Sequence, residues 1–143
     1  MATSESVVSL AAWFIRLMTG CVFLSEGIQK FLFSDALGAG RFARIGIPAP
    51  DFFGPFVGTV EILGSVLILV GLFTRYAAIP LTVVMIVAIM TTKIPMLAEK
   101  GFWVMAHESR TDWAMRIGLV VIQILGGGRW SLDGRLNSTT HSP

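Results

Sequence analysis

The chain has 143 residues, of which 54% are hydrophobic and 14% charged, with a mean hydropathy of +0.74. Soluble domains carry about 25% charged residues, so this composition, with the apolar runs below, excludes a disordered chain, a collagen-like chain and an ordinary soluble enzyme, and leaves an integral membrane protein of one domain. The net charge of +2 is small and scattered, which argues against nucleic acid, and the single cysteine, Cys21, excludes an internal disulfide and a CxxC centre.

The first residues, MATSES, carry Glu5 and no basic residue. The apolar run that follows is too long for a cleavable signal peptide, so it reads as an uncleaved first membrane helix. A helix crosses ~30 Å of hydrocarbon with about 20 residues. On that measure the spans are 7–33, 52–73, 76–97 and a short 113–127. Thr111 or Asp112 is placed to cap the last span, and Gly126 to Gly128 end it. Runs such as ILGSVLILVGLF do not alternate as barrel strands do. The predicted fold class is all-α, an integral membrane four-helix bundle, with no internal repeat.

Four spans put both termini on one face of the membrane, side A. Thr74-Arg75 forms the short side-A turn between spans two and three, and loops 34–51 and 98–112 lie on side B. Side B is rich in aromatics, among them Phe31, Phe52, Phe56, Trp103 and Trp113. They read as an interface belt or as the roof of a cavity. The positive-inside count over Arg41, Arg44, Lys100 and Arg110 favours a cytoplasmic side B. The tail after Leu136 is polar and frayed; its Asn137-Ser138-Thr139 matches a glycosylation acceptor too short to count.

The informative residues are charges inside or near the spans: Arg16, Glu26, Lys30, Glu61, Lys93 and Arg116. A charge near the bilayer centre costs ~2.5–3.5 kcal/mol on insertion scales. At ~1.5 Å per residue, Arg16 and Glu61 each lie roughly 13 Å from the nearer span end. Equal depth and opposite sign predict an Arg16–Glu61 ion pair. The faces agree: Arg16, Gly20, Phe23, Gly27 and Lys30 fall on one stripe, and Gly54, Gly58, Glu61 and Ser65 on another that includes a GxxxG. Lys30, Glu61, Lys93 and Arg116 come from four different spans and point to an elongated polar cavity open to side B. The predicted ligand-contacting residues are Arg16, Glu26, Lys30, Glu61 and Arg116. A plainer reading has Lys30, Lys93 and Arg116 snorkelling, Glu26–Lys30 as a local pair, Arg16–Glu61 as structural glue and Cys21 as a small packing residue.

Two histidines, His107 in a loop and His141 in the tail, give no transmembrane haem ligation and no zinc or copper site. Paired cysteines for disulfide chemistry are missing, and GGG at Gly126 to Gly128 lacks the sequel of a phosphate loop.

The runs RLMTGCVFLSEGIQKF, VEILGSVLILVGLFTRYAA and LGGGRWSLDGRL, in that order and spacing, resemble the DoxX family. The matching positions include Arg16, Gly20, Gly27, Lys30, Glu61, Gly64, Gly71, Thr74-Arg75 and Gly126 to Asp133. The resemblance implies a four-helix membrane bundle in a bacterial inner membrane with cytoplasmic termini, against the positive-inside count, and the orientation expected here follows the resemblance. It also implies association with oxidoreductase systems, such as archaeal thiosulfate:quinone oxidoreductase or oxidative and thiol stress. Relatives carry an acidic residue early in span four; here Asp112 stands at the boundary and Arg116 is basic, a departure from a shared substrate. Three functions follow: a subunit that binds quinone or a similar amphipathic molecule and serves a redox partner, a non-catalytic scaffold or assembly factor, and a small lipid- or solute-binding transporter that works as a homo-oligomer. No covalent cofactor and no metal is expected.

Overall fold

A computed structural model describes the backbone of residues 2–139 and the side chains of residues 4–136. The described residues are helical throughout, with no strand. α1 is Ala2–Leu32, followed by the short α2 (Ser34–Leu37) and α3 (Ala39–Arg44), then α4 (Pro50–Val70). α5 (Thr74–Ala88) runs through a π-helical turn, Ile89–Lys93, into α6 (Ile94–Lys100). α7 (Phe102–Glu108), α8 (Arg110–Leu125) and α9 (Leu132–Thr139) complete the chain. Three stretches are long and apolar enough to cross a membrane: Ser4–Leu32, Pro50–Val70 and Thr74–Lys100. α8 has 16 residues, about 24 Å at ~1.5 Å per residue, and is shorter than a standard span.

α1 packs on α4, α4 on α5 and α5 on α8, and α8 returns to α1. The α1–α4 crossing is close because both helices present glycine: a Cβ on Gly27 would stand 2.9 Å from the Gly58 carbonyl oxygen, and one on Gly58 3.3 Å from that of Gly27. Phe23, Ile68, Ala78, Leu81, Leu119 and Ile122 form the centre of the core. Arg16, Gly20, Phe23 and Gly27 are all buried, as are Gly54, Gly58, Glu61 and Ser65, so both predicted stripes are packing faces. Leu63, Ile79, Val83, Ile117 and Ile124 point outward, which suits a hydrocarbon surround rather than water.

α4 ends in a Schellman turn. Gly71 adopts φ 74°, the Leu72 N–H donates to the Leu67 carbonyl at 2.9 Å, and the Gly71 N–H donates to that of Ile68 at 3.2 Å. The turn is therefore 71–73, and Thr74 and Arg75 are the first residues of α5 rather than the connection. Predicted loops 34–51 and 98–112 are largely helical. Neither Thr111 nor Asp112 caps α8: the flanking residue is Ser109, whose hydroxyl turns back to the Met105 carbonyl at 2.6 Å. Cys21 faces outward instead of packing. The tail, expected to fray after Leu136, continues helical through Thr139; 140–143 lie outside the described residues.

An architectural repeat emerges that the sequence does not display. Each half runs a long helix into short helices and then into a second helix, α4 in the first and α8 in the second. In each half a lysine near the side-B end of the first helix reaches a carboxylate of the second, Lys30 to Glu61 and Lys93 to Asp112.

Candidate functional site

Lys30 leaves the last turn of α1 and meets Glu61, which is buried in α4. Lys30 Nζ donates to Glu61 Oε2 at 2.7 Å and lies 3.8 Å from Glu26 Oε2. Burial falls off across the three: the Glu61 side chain is 4% exposed, Lys30 11% and Glu26 52%. The arrangement is an acid–base pair set between two membrane helices, with a second carboxylate on its open side. A lysine so held is a hydrogen-bond donor, and a buried carboxylate beside it is a site where a proton can rest.

Arg16 has a different task. Its Nε donates to the Ile68 carbonyl at 2.8 Å and Nη2 to that of Leu69 at 2.8 Å. Nη1 donates to the carbonyls of Gly127 at 2.8 Å and Trp130 at 3.0 Å. The last carbonyls of a helix have no partner within it and carry the negative end of its dipole. One guanidinium thus caps α4 and holds the segment after α8 against it.

The predicted Arg16–Glu61 pair is not formed, and the helix register explains why. Gly27 faces Gly58 and Ile62, and Gly20 faces Ser65 and Leu69. Arg16 therefore stands beside Ile68 and Leu69, two turns along α4 from Glu61 and ~11 Å away. Depth counted from the predicted span ends made Arg16 and Glu61 equals and concealed that offset.

The family model for DoxX matches residues 11–94, a stretch that holds Arg16, Lys30 and Glu61. The chain belongs to the DoxX family. An uncharacterized membrane protein of Mycobacterium tuberculosis is 54% identical over 129 residues, 86% of this chain and 79% of that protein. "Putative oxidoreductase CatD" of Bacillus subtilis is 31% identical over 80 residues, 56% of this chain and 58% of the relative. An uncharacterized protein of Haemophilus influenzae is 29% identical over 124 residues, 85% and 87% of the two chains. No solved structure matches.

The remaining charges of this DoxX chain lie elsewhere. Lys93, at the end of the π-helical turn, pairs with Asp112 at 3.0 Å and donates to the Glu108 carbonyl at 3.0 Å. Arg116 lies over the Trp113 ring, 5.6 Å from its centroid, in the manner of a snorkelling side chain. Gln123 bridges α8 to α5 through the Thr82 hydroxyl at 2.7 Å. Of the predicted ligand-contacting set, the structure brings together Glu26, Lys30 and Glu61; Arg16 is committed to carbonyls and Arg116 to an indole.

The expected side-B cavity is not among the clefts found. One cleft, about 440 Å³, runs along the outer face of α1 past Cys21 and Gln29. A larger one, about 1160 Å³, lies at the opposite end, on side A, between the first turns of α1, the start of α5 and the 126–136 segment. Neither is lined by Glu61. The side-B aromatics Phe31, Phe52, Phe56, Trp103 and Trp113 are exposed, which fits an interface belt and not a roof.

Sequence reasoning placed Asp133 in the family's closing motif but gave it no role, and the structure makes it the cap of α5 on side A. Its carboxylate accepts the N–H of Phe73 at 2.8 Å, the N–H of Thr74 at 2.9 Å and the Thr74 hydroxyl at 2.7 Å. Burial pushes the Asp133 pKa up, but the hydrogen bonds from Thr74 and Phe73 and the nearby Arg16 charge outweigh it, and the net shift is downward. A sequence signal existed: Phe73 cannot cap α5 with its own side chain, so an acceptor had to come from elsewhere.

Proposed function

We propose that this DoxX protein is a membrane subunit of an oxidoreductase system, a four-helix bundle in which α8 serves as a short fourth span, and that its Lys30–Glu61 pair meets the headgroup of a quinone or similar amphipathic molecule. The observation that carries this reading is the graded burial of Glu61, Lys30 and Glu26. Lys30 would donate to a carbonyl oxygen of the ligand, Glu61 would hold the proton, and half-exposed Glu26 would mark the approach. The chain offers no electron carrier of its own, so a redox partner would supply one. The "Putative oxidoreductase CatD" relative supports the redox setting. On this reading the protein lies in a bacterial inner membrane with both termini cytoplasmic; the membrane protein of Mycobacterium tuberculosis supports the membrane setting.

A second reading, the non-catalytic scaffold, is favoured by one observation: the ion pair is closed and neither described cleft reaches it. In that case Lys30–Glu61 fixes the α1–α4 crossing and nothing more. Titration of the purified protein with a short-chain ubiquinone analogue separates the two. Saturable binding that weakens on Glu61→Gln and on Lys30→Gln, while both variants keep the helical content and sedimentation of the parent, supports the ligand site. Binding that is absent, or unaltered by both substitutions, leaves the scaffold reading.

A further inference from the structure

The side-A cleft is assigned no role by the pair on side B. It opens where α4 ends at Val70, α5 begins at Thr74 and α8 ends at Leu125. In a membrane-spanning bundle that level is the boundary between hydrocarbon and water. Phe73, Tyr76 and Trp130 stand exposed around it, the residue types that anchor at lipid headgroups.

Two arginines line the cleft. Arg75 gives Nη2 to the Ile124 carbonyl at 2.9 Å and so caps α8, which holds the guanidinium in place with donors to spare. Arg129 is 70% exposed; Glu5, which also lines the cleft, stands 4.0 Å from it and is 75% exposed, a separation and exposure at which such a pair contributes little. Asp133 also lines the cleft, but its oxygens are occupied by Phe73 and Thr74. Between the arginines runs Gly126-Gly127-Gly128, where φ is 71° at both Gly126 and Gly128. Gly127 is buried there. A side chain at Gly127 would collide with Ser131 and Thr74, so glycine is what lets this segment pack against the end of the bundle.

We infer that this cleft holds the phosphate group of an anionic membrane phospholipid. The planar guanidinium fork matches phosphate oxygens two at a time, and the ammonium of lysine does not. The apolar walls from Val8, Phe73 and Leu125 continue into the hydrocarbon layer, where acyl chains would lie. A volume of about 1160 Å³ exceeds that of a phosphoglycerol headgroup and admits the upper acyl segments. The site is independent of the Lys30–Glu61 pair, which lies on the other side of the membrane.

The test uses the full chain, delipidated in a mild non-ionic detergent and titrated with phosphatidylglycerol, diacylglycerol of the same acyl composition, and inorganic phosphate, read by native mass spectrometry. Phosphatidylglycerol should bind in preference to diacylglycerol. Arg129→Gln should weaken it about tenfold, the loss of one hydrogen bond to a charged group. Arg129 is largely exposed, so that variant should fold. Should Arg75→Gln fail to fold for want of its α8 cap, Arg75→Lys, which keeps the charge but not the fork, replaces it and should also weaken binding. Diacylglycerol bound as well as phosphatidylglycerol, or an affinity unchanged in Arg129→Gln, would overturn the proposal. Inorganic phosphate bound as tightly as the lipid would assign a soluble anion and overturn the lipid source.

Discussion

Asp133 caps a helix that begins far earlier in the chain: it accepts both the backbone N–H and the hydroxyl of Thr74, at 2.9 and 2.7 Å. Phe73, the residue before α5, sits in the left-handed region at φ 47° and has no side-chain acceptor of its own. The Asp133 N–H returns the contact by donating to the Gly71 carbonyl at 2.9 Å. The segment after α8 is therefore both a cap for α5 and, through Gly127 and Trp130, a partner of Arg16.

This cap should be pH-dependent. The Asp133 pKa is lower in the folded protein than in the unfolded chain. Its stabilisation is thus fully present above the ordinary carboxylate range and disappears as pH falls through the folded value. Amide exchange at Phe73 and Thr74 should accelerate in acid relative to the α4 core, and Asp133→Asn should bring that acceleration to neutral pH. Equal protection of these amides in parent and variant at pH 7 would show that the cap does not hold the turn.

Arg16 should be among the most costly residues to alter. Arg16→Gln takes the side-chain donor from the carbonyls of Leu69, Gly127 and Trp130 and leaves Ile68 with the Gly71 N–H alone. Removing one member of a buried charged network costs about 3–5 kcal/mol. Arg16→Lys should recover little, because an ammonium cannot span two chain segments as a guanidinium fork does. Reversible unfolding in mixed micelles gives the figure. A loss below about 1 kcal/mol, the scale of a single neutral hydrogen bond, would rule out the clasp.

The helices and their buried faces were legible because apolar length and small-residue spacing act locally: Gly20, Gly27, Gly54 and Gly58 all fall where the periodicity placed them. The choice of partner for each charge was not. Depth counted from the span ends gave Arg16 and Glu61 as equals, while the packed register sets Arg16 against the end of α4 and Lys30 beside Gly58, one turn from Glu61. Asp133 was hidden for another reason, since a cap supplied across 59 residues leaves no local pattern. The π-helical turn that carries Lys93 was equally invisible, as it arises within an unbroken apolar run.

The topology carries its own test. In a Cys21→Ala background, single cysteines at Ser4 and Leu136 should label from one side of intact vesicles with a membrane-impermeant maleimide, and those at Ala43 and Glu108 from the other. Ala43 and Glu108 are exposed in the short side-B helices. The odd element is α8: at 16 residues it would need local bilayer thinning or burial of its end to cross. Labelling of Glu108 and Leu136 from the same side would show that α8 does not cross.

Lys30 and Glu61 should prove strongly coupled, and Arg16 and Glu61 should not. Lys30→Gln leaves a carboxylate buried beside the Gly27–Gly58 contact with no cation to meet it, and Glu61→Gln leaves the ammonium with only the half-exposed Glu26. Each single change should cost about 3–5 kcal/mol, and the double change less than the sum, since the second substitution removes a charge already orphaned by the first. The same cycle on Arg16 and Glu61 should be additive within about 0.5 kcal/mol, because they share no partner. Thermal or denaturant unfolding of the three variants in each cycle supplies the numbers. Additive losses for Lys30 and Glu61 would mean that the short contact between them contributes nothing to the fold, and the reading of that pair as an acid–base unit would fall with it.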